Sequence, residues 1–250
     1  MLTLKTQNLT TDWHCHILPG LDDGPATMDE AVEMAKALHQ AGYTTVHCTP
    51  HLIKGSFEAD NATVKAILAA LQAELTQQQV DLELLPGREY YLDEFLLDYL
   101  KEPLPLGKTR FILIEIPHHA PVEFVKETSY RITCSGYTPM IAHPERCRLL
   151  DPKLQNENRK GLWGSLFNSK LKTLQARSLG QNSKPAENSL LAYLLDIGCQ
   201  FQGNLGSFAG FYGERTRASA GQLREMGLYN CFGSDGHSAE GLKAVLRVEF

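Results

Sequence analysis

Seven short apolar runs divide the chain, and each ends in a small cluster of polar residues. Stretches with the apolar spacing of amphipathic helices lie between most of the runs. Strands that alternate with helices form a parallel sheet or barrel, and the carboxyl ends of such strands meet at one edge. The pattern therefore predicts an α/β fold whose chemistry lies at that edge. The polar clusters occupy residues 12–16, 49–51, 87–89, 115–117, 143–146, 204–207 and 234–237.

Local signals predict where the helices and strands begin and end. Thr27 and Glu30 have capping-box spacing and Gly42 is a stop signal, so the first helix is predicted over about 28–40. Asn61 is the predicted cap of a second helix that ends near residue 78. The seven predicted strands cover 11–16, 44–49, 82–86, 111–116, 138–143, 199–203 and 230–233. The remaining predicted helices cover 93–100, 122–135, 188–197 and 215–226.

The repeat of strand and helix is interrupted once. Residues 151–188 are dominated by Asn, Gln, Lys and Ser, and this composition predicts an irregular polar insertion. Residues 1–10 look like a polar leader. We expect a single domain over residues 1–250, with about seven β/α units in a distorted parallel barrel of the TIM type rather than an open sheet.

Composition excludes several classes of protein. The hydrophobic fraction of 43% is that of an ordinary globular core, and the net charge of −5 gives no bulk basicity for binding nucleic acid. We expect no membrane insertion and no signal peptide, because no apolar run is long enough and the start of the chain lacks the basic-then-apolar layout. The six cysteines form no C-x-x-C pair, which predicts free thiols and a cytoplasmic protein.

Most of the polar clusters contain metal-ligating residue types. His14 and His16 are two apart, so an extended strand would point both to one side. Glu89 and Glu115 end apolar strands, where a buried carboxylate needs a cation or a donor. Asp12 is expected to orient one of the imidazoles. The candidate ligands are the five histidines His14, His16, His51, His143 and His237, together with Glu89, Glu115, Asp235 and one of Asp22 and Asp23, for which a turn or cap role is the alternative.

Nine ligands are too many for one four-coordinate ion, so two or three ions that share carboxylates are predicted. Imidazole and carboxylate ligands suit zinc, manganese or iron. Clustered divalent ions favour hydrolysis of a phosphate ester. Arg146 and Arg88 lie beside proposed ligands and can clamp phosphate oxygens, with surface salt bridges as the alternative. His118 and His119 follow Glu115 and can approach a substrate, although no spacing supports that role specifically.

The motifs HCHILPGLDDGP, TPH, GREY, IEIP, AHPER and SDGH, in this order, resemble the PHP (polymerase and histidinol phosphatase) superfamily. They resemble more closely the bacterial manganese-dependent protein-tyrosine phosphatases of capsule and exopolysaccharide clusters. The resemblance covers residues 12–150 and 190–238. It implies a PHP-type distorted barrel and a manganese cluster that acts on phosphotyrosine of a tyrosine autokinase controlling polysaccharide export. The implied metal ligands are His14, His16, Asp23, His51, Glu89, Glu115, His143, Asp235 and His237.

The resemblance also implies that Arg146 holds the phosphate, and Arg146, Asp235 and His237 are the predicted catalytic residues. The chain lacks the arginine that often follows the last histidine of the family. Lys243 can substitute there as a point charge but not as a bidentate fork. The predicted substrate contacts are therefore Arg88, Arg146 and Lys243.

Two other functions are compatible with the same ligands. One is a small-molecule phosphatase, for example one that acts on histidinol phosphate, and the other is a non-catalytic metal-binding module. A cysteine-nucleophile phosphatase is excluded, because that mechanism needs an arginine six residues after the cysteine and none of the six cysteines has one.

Overall fold

The computed structural model describes residues 10–152 and 189–247. The predicted leader and the predicted insertion lie almost entirely outside these ranges. The strands of the described part are β1 Thr11–Cys15, β2 Thr45–Cys48, β3 His51–Leu52, β4 Glu83–Pro86, β5 Glu89–Tyr91, β6 Phe111–Glu115, β7 Thr138–Ala142, β8 Gln200–Asn204 and β9 Cys231–Gly233. Its α-helices are α1 Met28–Gln40, α2 Asn61–Gln77, α3 Leu96–Tyr99, α4 Val122–Cys134, α5 Ser189–Asp196, α6 Leu205–Ala209, α7 Glu214–Glu225 and α8 Ala239–Leu246.

The described strands pair in parallel in two sheets. One sheet has the order β1-β2-β4, and the other has the order β3-β5-β6-β7-β8-β9. The chain passes from β2 to β3 through Thr49 and Pro50, and from β4 to β5 through Gly87 and Arg88, so the two sheets continue into each other. The result is a curled parallel sheet with helices between its strands. The predicted α/β class is confirmed, whereas the predicted count of about seven units is not.

The curl brings the last strand beside the first. The backbone N–H of His16 donates to the carbonyl of Gly236 at 3.0 Å, and that of Asp235 donates to the carbonyl of His14 at 2.7 Å. Gly233 permits this approach, since a Cβ atom at that position would lie 2.5 Å from the Cβ of His14. The ends of β1 and β9 therefore present their side chains to the same space.

Alternation along β6 shows how the core and the site are separated. Ile112 and Ile114 belong to the core that α4, α5 and α7 cover, whereas Leu113 packs with Met140 on the opposite face. Because side chains alternate across a strand, Glu115 shares the face of Leu113. A second core, between α1, α2 and the three-stranded sheet, covers the other side of the fold.

The helix ends of the structure confirm one predicted cap and correct another. The capping box at Thr27 and Glu30 is confirmed. The prediction that Asn61 caps α2 is wrong, because Asp60 accepts the hydrogen bond from the backbone of Thr63. Asn61 instead accepts from the guanidinium of Arg88, so a contact distant in sequence decides between two adjacent cap-forming residues. Helices α6 and α8 lie outside the ranges predicted from sequence. None of the helices in residues 10–152 and 189–247 has the length and apolarity to cross a bilayer.

Candidate metal centre

The carboxyl ends of the strands bring most of the predicted ligands together. His14, His16, Glu89 and Asp235 form one group whose ligand atoms all lie within 4.8 Å of one another. Two further groups satisfy the same distance and share members with the first. They are His16, Asp23, His51 and His237, and His51, Glu89 and Glu115. His143 adjoins them, with its Nε2 3.0 Å from Glu89 Oε1.

The first group is buried and tightly packed. The Nε2 atoms of His14 and His16 are 3.1 Å apart. Glu89 Oε2 lies 3.1 Å from the former and 3.2 Å from the latter, and Asp235 Oδ1 lies 3.4 Å from each. All four side chains are at most 3% exposed, so water screens these contacts poorly.

Two acceptors decide which imidazole nitrogens carry protons, and the first of them, Gln202, is not among the residues predicted from sequence. Gln202 Oε1 lies 2.9 Å from His14 Nδ1, and it also accepts from the backbone N–H of His143, while the amide nitrogen of Gln202 donates to the carbonyl of Gly203. The amide is therefore oriented with its oxygen toward His14, and His14 Nδ1 must be the donor.

Asp22 has the same role at the second imidazole. Its Oδ2 lies 2.6 Å from His16 Nδ1, and its other contacts are backbone N–H groups of His51 and Gly24. Burial alone would raise the pKa of Asp22, but the hydrogen bond and charge of His16, together with the backbone hydrogen bonds of His51 and Gly24, outweigh burial and lower that pKa. Asp22 is thus an ionised acceptor, and Asp23 is the member of the pair that faces the candidate ligands.

These two tautomers turn the Nε2 lone pairs of both imidazoles toward two carboxylate oxygens. The two Nε2 atoms are 3.1 Å apart, and each lies 3.1–3.4 Å from a carboxylate oxygen of Glu89 and of Asp235. Four electron-pair donors this close repel unless a cation lies between them. Imidazole nitrogen and carboxylate oxygen are the donors that a borderline divalent metal prefers. The residues present therefore fit the divalent metals that the sequence predicts.

The electrostatics of the buried group also favour positive charge. Burial opposes the protonation of His14, yet Glu89 and Asp235 raise its pKa to about 9. Burial likewise opposes ionisation of Glu89, but His14 and the other imidazoles hold its pKa well below the usual range. Burial and the charge of Glu89 raise the pKa of Glu115 to about 7. Excess negative potential is thus concentrated where a cation would bind.

The second and third groups are closer to solvent. Asp23 is 56% exposed, and its Oδ1 lies 3.3 Å from His237 Nε2 and 3.8 Å from His51 Nε2. The other ring nitrogen of His51, Nδ1, is buried and has no hydrogen-bond partner among the described residues. It lies 3.2 Å from Glu89 Oε2. An orphaned imidazole nitrogen beside a carboxylate is a further feature that a cation would satisfy.

Asp235 and Arg146 connect the cluster to a neighbouring cleft. Asp235 Oδ1 faces the two imidazoles, while Oδ2 accepts from Arg146 Nη1 at 2.6 Å and from the Asn204 side-chain amide at 2.7 Å. The guanidinium of Arg146 also stacks on the ring of Tyr212, 4.4 Å from its centroid. Arg146 is therefore held beside the cluster with part of its surface open.

Backbone strain marks two of the candidate ligand positions. His143 has φ 33° and Asp235 has φ 53°, and they are two of the three non-glycine residues with positive φ in the described chain. Such conformations are costly and tend to persist where the surrounding structure fixes a functional side chain.

The structure contradicts two sequence predictions, and a third stays untested. Arg88 is buried, and its guanidinium donates to Asn61 and to the carbonyl of Ala59, so it fixes the start of α2 instead of facing a phosphate. Asp12 orients no imidazole, because its Oδ1 accepts from the backbone N–H groups of His14 and Ser234. Lys243 is exposed on α8, and its contact with substrate stays a prediction.

Signals for the missed residues were present but weak. Gln202 and Asn204 are polar residues two apart at the end of a strand, the same spacing as His14 and His16. Glu145 follows a candidate ligand and is buried, where it accepts from the backbone of Asn204 and from the hydroxyl of Tyr229. It thereby fixes the end of β8 beside the cluster.

Residues 10–165 match the model of a protein family described as capsular polysaccharide synthesis, CpsB/CapC. The chain belongs to this family. Among CpsB/CapC relatives, it is 31% identical over 232 residues to the tyrosine-protein phosphatase YwqE of Bacillus subtilis (strain 168), covering 92% of this chain and 78% of YwqE. It is 29% identical over 142 residues to the tyrosine-protein phosphatase CpsB of Streptococcus agalactiae serotype V, covering 56% of this chain and 58% of that protein.

The fold is also similar to a crystal structure from work on YwqE of Bacillus subtilis and CpsB of Streptococcus pneumoniae, which are described there as metal-dependent tyrosine phosphatases. The TM-score is 0.69 at 28% sequence identity, over 94% of this chain and 85% of the other. The CpsB/CapC membership and the α/β architecture therefore agree with the resemblance seen in the sequence motifs.

Proposed function

We propose that this protein is a metal-dependent phosphatase that hydrolyses phosphotyrosine on a protein. The observation that carries the proposal is the pair of imidazoles whose Nε2 lone pairs converge with Glu89 and Asp235 in a buried space. The names of the CpsB/CapC relatives support the reaction, because YwqE and CpsB are called tyrosine-protein phosphatases.

The proposed metal ligands are the nine residues predicted from sequence: His14, His16, Asp23, His51, Glu89, Glu115, His143, Asp235 and His237. We propose two or three divalent ions, with manganese preferred over iron or zinc. Bound there, they would supply the Lewis acidity that makes phosphoryl transfer to water feasible near neutral pH. The shared position of Glu89, whose two oxygens face different imidazoles, supports more than one ion.

Arg146 is the proposed phosphate-binding residue. Burial would lower the pKa of the Arg146 guanidinium, but Asp235 together with Tyr212, Glu115 and Glu89 outweighs burial and raises that pKa, so Arg146 stays charged at all relevant pH values. The contact with Asp235 and the stack on Tyr212 fix its position before substrate arrives. Asp235 and His237 complete the proposed catalytic set, and the contact of His237 Nδ1 with the carbonyl of Asp235 at 2.9 Å orients that imidazole.

We further propose a tyrosine autokinase of a polysaccharide-export system as the physiological substrate, since the family is one of capsular polysaccharide synthesis. The six free cysteines support a reducing compartment, and we propose the cytoplasm. A single domain and about seven β/α units remain our proposal for the whole chain.

The test is hydrolysis of a phosphotyrosine peptide after removal of metal by chelation. We expect loss of activity, recovery on addition of manganese, and no recovery in His14→Ala, because that change removes an imidazole from the buried group. His39→Ala is the matched control, since His39 lies in the last turn of α1. Activity that survives chelation would overturn the mechanism, and faster cleavage of histidinol phosphate than of the peptide would overturn the substrate class.

A further inference from the structure

A cleft lies beside the metal centre, and apart from Arg146 its lining residues have no role in the proposed reaction. Its volume is about 610 Å³, and it is lined by His118, Arg146, Arg148, Tyr212 and residues 213–216. Arg146 belongs to both places, because its Nη1 bonds to Asp235 while the residue also lines the cleft. A ligand in the cleft would therefore lie next to a phosphate held by Arg146.

Positive charge predominates in this cleft. Arg148 is exposed and its guanidinium has no hydrogen-bond or ion-pair partner among residues 10–152 and 189–247. Arg215 is 43% exposed, with its Nη1 3.6 Å from Asp151 and its Nη2 on the carbonyl of Arg146. Among the described residues that line the cleft, the only acidic one is Glu214, which faces Arg217 at 3.8 Å. The cleft thus offers two guanidinium groups beyond the one assigned to the scissile phosphate.

Two aromatic rings lie at this end of the fold. Phe211 is 53% exposed and Tyr212 is 41% exposed, in the short connection between α6 and α7. Exposed aromatic rings next to a guanidinium suit a peptide that carries a planar side chain. A peptide that contacted Tyr212 would lie on the same side of the cluster as the two arginines, because all three line the cleft.

We infer that this cleft binds a second anionic group of the substrate, a carboxylate or a phosphate close in sequence to the cleaved phosphotyrosine. The inference rests on the proposed function and deepens it by naming a feature of the substrate. Arginine forms charge-assisted and often bidentate hydrogen bonds with both groups. A cleft of this volume is about 8 Å across, and an extended peptide advances about 3.3–3.6 Å per residue, so the second anion lies within about two residues of the phosphotyrosine.

The experiment compares kcat/KM for three phosphotyrosine peptides with the full chain and manganese. One peptide has only neutral flanks, one has glutamate within two residues, and one has phosphoserine there. We expect about a fivefold preference for an anionic flank, which is the factor that corresponds to about 1 kcal/mol for a solvent-exposed ion pair. The preference should shrink with added salt. The glutamate and phosphoserine arms show which anion the cleft favours.

Arg148→Gln should bring the ratio of anionic to neutral peptide close to one. Arg131→Gln is the matched control, since Arg131 is an exposed arginine in the last turn of α4. Cleavage of the neutral peptide with no preference in the unmodified protein, or a preference that Arg148→Gln leaves intact, overturns the inference while the proposed function stands. Failure to cleave any of the peptides overturns the proposed function and the inference with it.

Discussion

Replacement of Gln202 by methionine should weaken metal binding without removing any ligand. Gln202 is fully buried, and its Oε1 accepts from His14 Nδ1 at 2.9 Å. Methionine is similar in length but lacks the acceptor, so His14 loses the contact that keeps its proton on Nδ1 and its Nε2 lone pair toward the cluster. The change also leaves the backbone N–H of His143 without its partner.

The size of the effect follows from the kind of contact. Loss of a hydrogen bond that orients a metal-ligating histidine typically costs 10–100-fold in affinity, about 1.4–2.7 kcal/mol. We expect a loss in this range for the tightest manganese site, measured by competition with a chelating dye. Gln202→Glu keeps an acceptor for His14 and should retain more affinity than the methionine variant.

Gln200→Met is the control, since Gln200 lies on the same strand and, within the described part of the chain, its side-chain amide donates only to the carbonyl of Gly198. Circular dichroism of the three variants would show that each is folded. Manganese affinity of Gln202→Met equal to that of the unmodified protein would refute the role assigned to the Gln202 oxygen.

Other predictions follow from single contacts. Arg146→Lys should raise KM for a phosphotyrosine peptide about tenfold, because a lysine ammonium cannot form the bidentate hydrogen bonds of a guanidinium. An unchanged KM would contradict the role assigned to Arg146. Gly233→Ala should lower the free energy of unfolding, measured by urea titration, by more than about 2 kcal/mol, because the added Cβ would overlap His14. Gly221→Ala should not, because a Cβ at that position would meet open space. Burial lowers the pKa of His47 from 6.5 to about 4. As the pH falls, His47 is therefore protonated in the unfolded chain before it is protonated in the folded protein. The free energy of unfolding falls as the pH drops from 6.5 toward 4, by up to about 3 kcal/mol for that residue. His47→Phe, which keeps the stack on Trp13, should flatten that part of the pH profile of unfolding, and an unchanged profile would show that His47 does not titrate this way.

Features with local causes could be predicted from the sequence. The capping box of Thr27 and Glu30 depends on residues three apart, and it is present. The clustering of the candidate ligands could be predicted because polar residues that end apolar strands of a parallel sheet are brought to one edge by the fold itself. His14, His16 and Asp235 therefore meet, although the last lies far along the chain.

Features that depend on distant partners could not be predicted. The acceptor for His14 is 188 residues away in Gln202, and no spacing in the sequence relates the two. The assignment of Arg88 to phosphate failed for the same reason, since its partners on the approach to α2 are fixed by tertiary packing. Asp22 and Asp23 are adjacent and chemically identical, so only the position of the loop distinguishes the residue that orients His16 from the one that faces His51 and His237.

The most direct test of the metal centre is anomalous X-ray diffraction at the manganese edge from crystals grown with manganese. We predict strong peaks within ligand distance of His14 Nε2, His16 Nε2, Glu89 and Asp235, with at least one more peak beside His51. A map without peaks between these side chains, from protein that hydrolyses phosphotyrosine under the same conditions, would contradict the central claim.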